Sequence, residues 1–155
     1  YVQKGEWKLE YEIDYDVAKL AEKIVEACKD LSWIKDYDIS IGFVRCSTAK
    51  QNRANVAADC RKVAGPFKAF CNHDIVITVY SPVFDSYSEN QQKVILWHEL
   101  KHIGWSEDSV KIEDHDVKDF YVILKAMGMD WNRLDEDVPD ILNSVIEGSV
   151  EDEGY

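Results

Sequence analysis

The stretch KVILWHELKHIGW places two histidines four residues apart with a glutamate between them, His98-Glu99-x-x-His102. On an α-helix, positions i and i+4 lie one turn apart on the same face, so both imidazoles can address one metal ion. Glu99 sits beside that face, near enough to take a proton from an attacking water without being a ligand itself. Two imidazoles do not complete such a centre, because a catalytic zinc takes a third protein ligand and keeps a fourth position open. Were the two histidines ordinary core residues, two buried imidazoles on one face would each need a polar partner.

The third ligand has to come from downstream. His115, in EDHDV, follows His102 after the twelve residues 103–114, a length of chain that can return to the metal. The longer motif with a glycine and a third histidine six residues on is absent, since position 108 is aspartate. Glu107, Asp108, Glu113, Asp114 and Asp116 are alternative oxygen ligands. His115 is the favoured one, with Asp116 or Asp114 expected to hold an imidazole N–H from behind. Cys60, Cys71 and His73 are candidates for part of a second metal site, although their spacing matches no standard structural zinc pattern.

Around these residues lie 155 positions, 46% of them hydrophobic and five of them tryptophan, enough for a single domain with a substantial core. That domain is expected over residues 1–148, followed by an acidic tail over 149–155. With 30 acidic against 18 basic residues the formal charge is −12. Such a surface repels phosphate backbones, which argues against nucleic acid as a partner. No apolar run approaches the ~18 residues of a membrane span, and the opening YVQKGEWKLEYE lacks the basic and then apolar regions of a signal peptide. Four cysteines (Cys28, Cys46, Cys60, Cys71) without a C-x-x-C pair read as reduced thiols of a cytoplasmic protein.

The elements that must position the site follow from spacing and punctuation. Val17, Leu20, Ala21, Ile24 and Cys28 recur at helical intervals over Asp14 to Leu31, with Asp14 as N-cap. YDISIGFVRC alternates as a strand, and DIVITVY, Asp74 to Tyr80, is a second. Residues 47–73 are polar. Ser88-Glu89-Asn90-Gln91 has the form of a capping box, so the HExxH helix should run from there to about Ile103, with Gly104 at its C-terminal cap. Asp114 should cap another helix whose apolar stripe is Val117, Phe120, Tyr121, Leu124 and Met127, ended by Gly128. A last short helix is expected over Val138–Ile146. Helix, strand, strand and then helices amount to an α+β arrangement, a small sheet with helices packed on it.

On IGFVRCSTA, DIVITVYSPVFDSYSENQQKVILWHELKHI and DHDVKDF the chain resembles a metallopeptidase family found in phages and archaea. In that family a strand with an arginine precedes a second strand, a connection (Ser81 to Ser88 here) and a HELxHI helix, and a later His-Asp follows. The similarity runs from about Tyr37 to Gly128, and its specific part is the helix with the downstream His-Asp. It implies a compact zincin-like α+β fold, a zinc site with His98, His102 and His115 as ligands, and Glu99 as catalytic base. GWSEDSVKIED stands where archaeal members carry a segment rich in proline and glycine.

Three functions compete. In a zinc-dependent peptidase the metal polarises the scissile carbonyl and acidifies water, while Glu99 takes the proton and hands it to the leaving amine. There Ile75–Tyr80, if it were a sheet edge, would hold a peptide or protein substrate by backbone hydrogen bonds. Tyr80, Tyr87 and Tyr121 are oxyanion-donor candidates weighed against simple packing roles, and Arg45 is more simply the partner of a local acid than of a substrate carboxylate. A zinc-dependent endoribonuclease would also use three histidines, but its motif lacks a glutamate directly after the first, and the charge of −12 opposes RNA. A non-catalytic, metal-stabilised binding module would close the site with a fourth protein ligand such as Asp108 or Asp114. The five tryptophans read as core or subunit-contact residues.

Overall fold

Asp14 behaves as an N-cap should: its Oδ1 accepts the backbone N–H of Val17 at 2.9 Å and opens helix α1, Tyr15–Ala27. The computed structural model describes residues 10–115 and 119–143. In it β1 (Tyr11–Ile13) precedes α1. After α1 come α2 (Trp33–Asp36), β2 (Ile41–Cys46), β3 (Ala58–Lys62), β4 (Ile75–Tyr80) and α3 (Ser81–Phe84). The remaining elements are α4 (Glu89–Lys101), β5 (Ile103–Ser106), β6 (Ser109–Ile112) and α5 (Tyr121–Met127). This is the expected mixture of a small sheet and packed helices. α1 is shorter than expected: Cys28 is extended and caps it after Ala27, and Lys29–Leu31 forms a separate 3-10 turn that buries Leu31. None of the described helices is long and apolar enough to cross a membrane.

The main sheet has the order β1-β2-β4-β3, with β4 parallel to β2 and antiparallel to β3. The reading of Ile75–Tyr80 as an edge is therefore corrected, since β4 is an inner strand. Its composition gives the reason. Ile75, Ile77 and Val79 are fully buried on one face, and Thr78 and Tyr80 are buried on the other. A strand covered on both faces reads as a continuous apolar run. The true edge beside β4 is β3, ADCRK, concealed within a polar stretch because edge strands carry charge that discourages further pairing.

Against this sheet packs α4, a core helix: Val94, Leu96, Trp97 and Leu100 are fully buried, and so is Gln91. The capping box forms as expected, Ser88 Oγ accepting Gln91 N–H and Gln91 Oε1 accepting Ser88 N–H, both at 3.1 Å. Gln91 also ties down the C-terminal segment. Its side-chain amide lies 2.9, 2.5 and 2.8 Å from the carbonyls of Trp131, Arg133 and Glu136. Arg45 of β2 pairs with local acids, donating at 2.7 Å to both Asp14 and Asp85.

Three further boundaries differ from expectation. α4 stops at Lys101, not Ile103, and Gly104 lies in β5 instead of capping the helix. The cause is a hairpin: β5 pairs with β6 through Glu107 and Asp108, both at positive φ (51° and 61°), the backbone of a tight two-residue turn. The helix expected from Asp114 begins at Tyr121, because Asp119 and Phe120 are held outside it by bonds described below; Gly128, at φ 89°, does end it. Of the expected stripe, Phe120 is buried and Leu124 and Met127 pack against the core, with Ile123 buried beside them, while Tyr121 is 46% exposed; Val117 lies outside the described residues. Of the helix expected over 138–146, the described part holds only a 3-10 turn, Ile141–Asn143.

Replacing Gln91 with leucine leaves carbonyls of the C-terminal segment without donors, and should cost about 3 kcal/mol in a denaturant titration. Asp14→Ala should cost about 1–2 kcal/mol at pH 7. Burial favours a neutral Asp14, but the Val17 N–H and Arg45 outweigh it and hold the carboxyl below its ordinary range. Its stabilisation is therefore complete above the unfolded value of about 4 and is lost as pH falls through the lower folded value. The gap between wild type and Asp14→Ala should close over that acid window, as read by denaturation at stepped pH.

Candidate metal centre

His98 lies in the last turn of α4 and His102 is its C-cap, still in helical conformation (φ −71°, ψ −13°), so the two imidazoles share a face with ring centroids 5.1 Å apart. The hairpin then closes the twelve-residue gap. β6 returns beside β5, Glu113 N–H donates to the His102 carbonyl at 2.5 Å, and His115 follows two residues later. Glu107 and Asp108 occupy the exposed hairpin tip, away from His102, which removes them as oxygen ligands. The Glu113 carboxylate pairs with Lys111 at 3.2 Å. Asp116 lies outside the described residues.

Three ring nitrogens converge. His115 Nε2 is 3.0 Å from His98 Nε2 and 3.1 Å from His102 Nε2. Three nitrogens on a tetrahedral zinc, with bonds of about 2.0–2.1 Å, stand about 3.3 Å apart, so the spacing suits such an ion after a small relaxation. The tautomers follow from the partners. His98 Nδ1 meets Asp119 Oδ1 at 2.5 Å and His102 Nδ1 meets the Glu113 carbonyl at 2.6 Å. An ionised carboxylate and a carbonyl only accept, so each Nδ1 carries the proton and each Nε2 presents a lone pair to the cluster. Burial disfavours a charged His102 and lowers its pKa, which keeps that lone pair free. The residues present thus fit a divalent, nitrogen-preferring metal ion. His115 is exposed and the other two are half-buried, so the cluster opens to solvent on the His115 side.

Asp119, and not the expected Asp114, is the carboxylate behind His98. It accepts from His98, from Trp131 Nε1 at 2.7 Å and from its neighbour's backbone, Phe120 N–H, at 2.7 Å. Burial favours its neutral form, yet the His98 bond and the other donors prevail and hold it below the usual carboxylate range. Phe120 fills the space beneath, its ring 5.0–5.2 Å from each imidazole.

Glu99, next to His98, turns toward the sheet side of α4. It is 8% exposed, and burial pushes its carboxyl well up, with Asp59 of β3 adding repulsion and Lys50 opposing it. Lys50 Nζ is 2.9 Å from Asp59 Oδ2, which also accepts the Tyr80 hydroxyl at 2.8 Å. A carboxylate in such surroundings is a stronger proton acceptor than one in water, and a cation among the histidines would favour its ionised form. Tyr80 is 3% exposed with its hydroxyl committed to Asp59, which withdraws it as an oxyanion donor. Tyr87 packs against the core and Tyr121 is exposed on α5.

Among the described residues the three histidines are the one cluster of three or more potential ligands, so Cys60, Cys71 and His73 do not assemble a second site. The ring of His73 instead bonds Ser40 Oγ at 2.8 Å, and all four cysteines are free. Trp97 and Trp131 are core residues as expected, whereas Trp105 is 39% exposed and Trp7 lies outside the described residues. Asp119 was the partner missed; its one sequence signal is an acid four residues beyond His115, in DHDVKDF.

A helix-borne His-Glu-x-x-His with a third imidazole delivered from downstream is a donor set suited to metal-assisted hydrolysis. The chain belongs to the protein family described as "Putative phage metallopeptidase", whose model matches residues 9–139. No curated protein and no solved structure matches it.

Removing the carboxylate behind His98 should loosen the metal without touching a ligand. Asp119→Ala is expected to lower zinc affinity about 10- to 100-fold in a chelator competition, with the fold intact by circular dichroism. Unchanged affinity would show that Asp119 does not orient the ligand.

Proposed function

We propose that the protein is a zinc-dependent peptidase of zincin-like fold, with His98, His102 and His115 holding the metal and Glu99 acting as general base. The observation that carries this reading is the convergence of three imidazole Nε2 atoms at the end of a helix whose Glu99, next in sequence to His98, is a buried carboxylate. A zinc ion supplies Lewis acidity, drawing electron density from a scissile carbonyl and making water a stronger acid. Glu99 accepts the proton of the attacking water on a carboxylate oxygen and delivers it to the departing amine. Asp59 of β3 and Lys50 of the segment before it shape the field around that carboxylate. An extended peptide lies along the sheet edge, now β3 in place of β4, and is held by main-chain hydrogen bonds.

The charge of −12 supports a peptide or protein substrate over RNA. Against a closed, purely structural site stands the composition of the cluster: among the described residues no fourth histidine, cysteine or carboxylate joins the three imidazoles. The free cysteines accord with work in a reducing compartment such as the cytoplasm.

Glu99→Gln keeps size and shape but removes the base. Peptide cleavage should fall about a thousandfold while zinc content stays at about one per chain. Cleavage that survives the substitution would remove Glu99 from the mechanism.

A further inference from the structure

Beside the metal centre lies a second feature, a cavity of about 460 Å³. Phe120 is common to both: its ring stands about 5 Å from the three imidazoles and forms one wall of the cavity. The hairpin supplies another wall through Trp105, and α2 with the residue after it supplies Trp33 and Tyr37. These three rings meet nearly at right angles: Trp33 to Tyr37 at 5.8 Å and 88°, Tyr37 to Trp105 at 4.9 Å and 89°. Aromatic walls set square to one another present π faces from more than one direction, an arrangement that attracts a cation. Two carboxylate residues, Glu113 and Asp114, line the same space. Glu113 lies over Gly104, where any Cβ would overlap its side chain, so the absence of a side chain there is what admits the carboxylate.

One lining residue is basic. Lys101 is offset by Asp30 at 3.4 Å and lies over the Phe120 ring at 5.7 Å, so its charge is already matched. Lys111 pairs with Glu113 only in an exposed ion pair, which an incoming cation can displace at little cost.

We propose that this cavity receives a lysine or arginine side chain of the peptide substrate, making the enzyme selective for a basic residue close to the bond it cuts. The inference rests on the peptidase reading and adds to it the class of substrate. The π faces of Trp33, Tyr37 and Trp105 take the stem and the charged head, and Glu113 and Asp114 supply the opposite charge.

The test has two arms, both on the full chain loaded with zinc. In the first, the wild-type protein digests a peptide library and the cut sites are read by mass spectrometry. In the second, Glu99→Gln protein is titrated calorimetrically with peptides that differ at one position: lysine, arginine, norleucine or glutamate. Expected are cut sites enriched in a nearby basic residue, and lysine or arginine peptides binding about tenfold tighter than the norleucine one. Glu113→Gln and Trp105→Leu, each folded by circular dichroism, should shrink that ratio below about threefold. If no peptide is cut while the basic peptides keep their advantage in binding, the peptidase reading fails and the cavity assignment stands. Cleavage without basic preference overturns the cavity assignment and leaves the peptidase. So do equal or tighter binding of norleucine or glutamate, a preference untouched by both variants, and a cavity covered by a second copy, seen as a dimer in light scattering that binds none of the peptides.

Discussion

An imidazole offers a lone pair to a metal only when its other nitrogen has somewhere to put its proton. In this protein that constraint organises everything near the end of α4. His98 donates its Nδ1–H to Asp119, and His102 donates its own to the carbonyl of Glu113. The two acceptors come from different places, one just before α5 and the other at the end of β6. The helix, the hairpin and the segment before α5 must therefore all be in position for the histidines to face one another. Phe120 and Trp131 close the arrangement from below, one by edge-on ring contact and one by donating to the same Asp119 carboxylate.

The hairpin resolves what looks like an awkward distance in sequence. His115 lies thirteen positions beyond His102, too far for the same helix. β5 and β6 carry the chain out and back, so the twelve-residue excursion ends where it began. A turn of two residues at positive φ is what makes the return this short. Glu107 and Asp108, acids that compete with His115 on sequence distance alone, are carried to the far tip by the same geometry.

The parts legible in the sequence were those fixed by local signals. Asp14 and Ser88 announced their helices because cap chemistry is contained within four residues, and Gly128 marked the end of α5 for the same reason. The pair His98 and His102 needed only the period of a helix. What escaped depended on pairing across the chain. β3 looks like a polar loop until β4 lies beside it, and the stop of α4 at Lys101 is dictated by a hairpin that forms after it. Asp119 escaped because nothing local distinguishes it from the neighbouring acids of EDHDVKDF, and its bonds to His98 and Trp131 arise only in the folded chain. Tyr80 looked available as a donor, but the partner that claims its hydroxyl, Asp59, sits on the strand that the pattern did not reveal.

The central claim is that His98, His102 and His115 together hold a catalytic metal ion with room for one more ligand. X-ray absorption on the zinc-loaded protein addresses it directly, with metal content determined on the same sample. The account predicts one zinc per chain bound by three imidazole nitrogens and one oxygen at about 2.0–2.1 Å, with one imidazole fewer in His115→Ala. A sulfur ligand, a fourth protein donor in place of the exchangeable oxygen, or a spectrum unchanged by His115→Ala would contradict it.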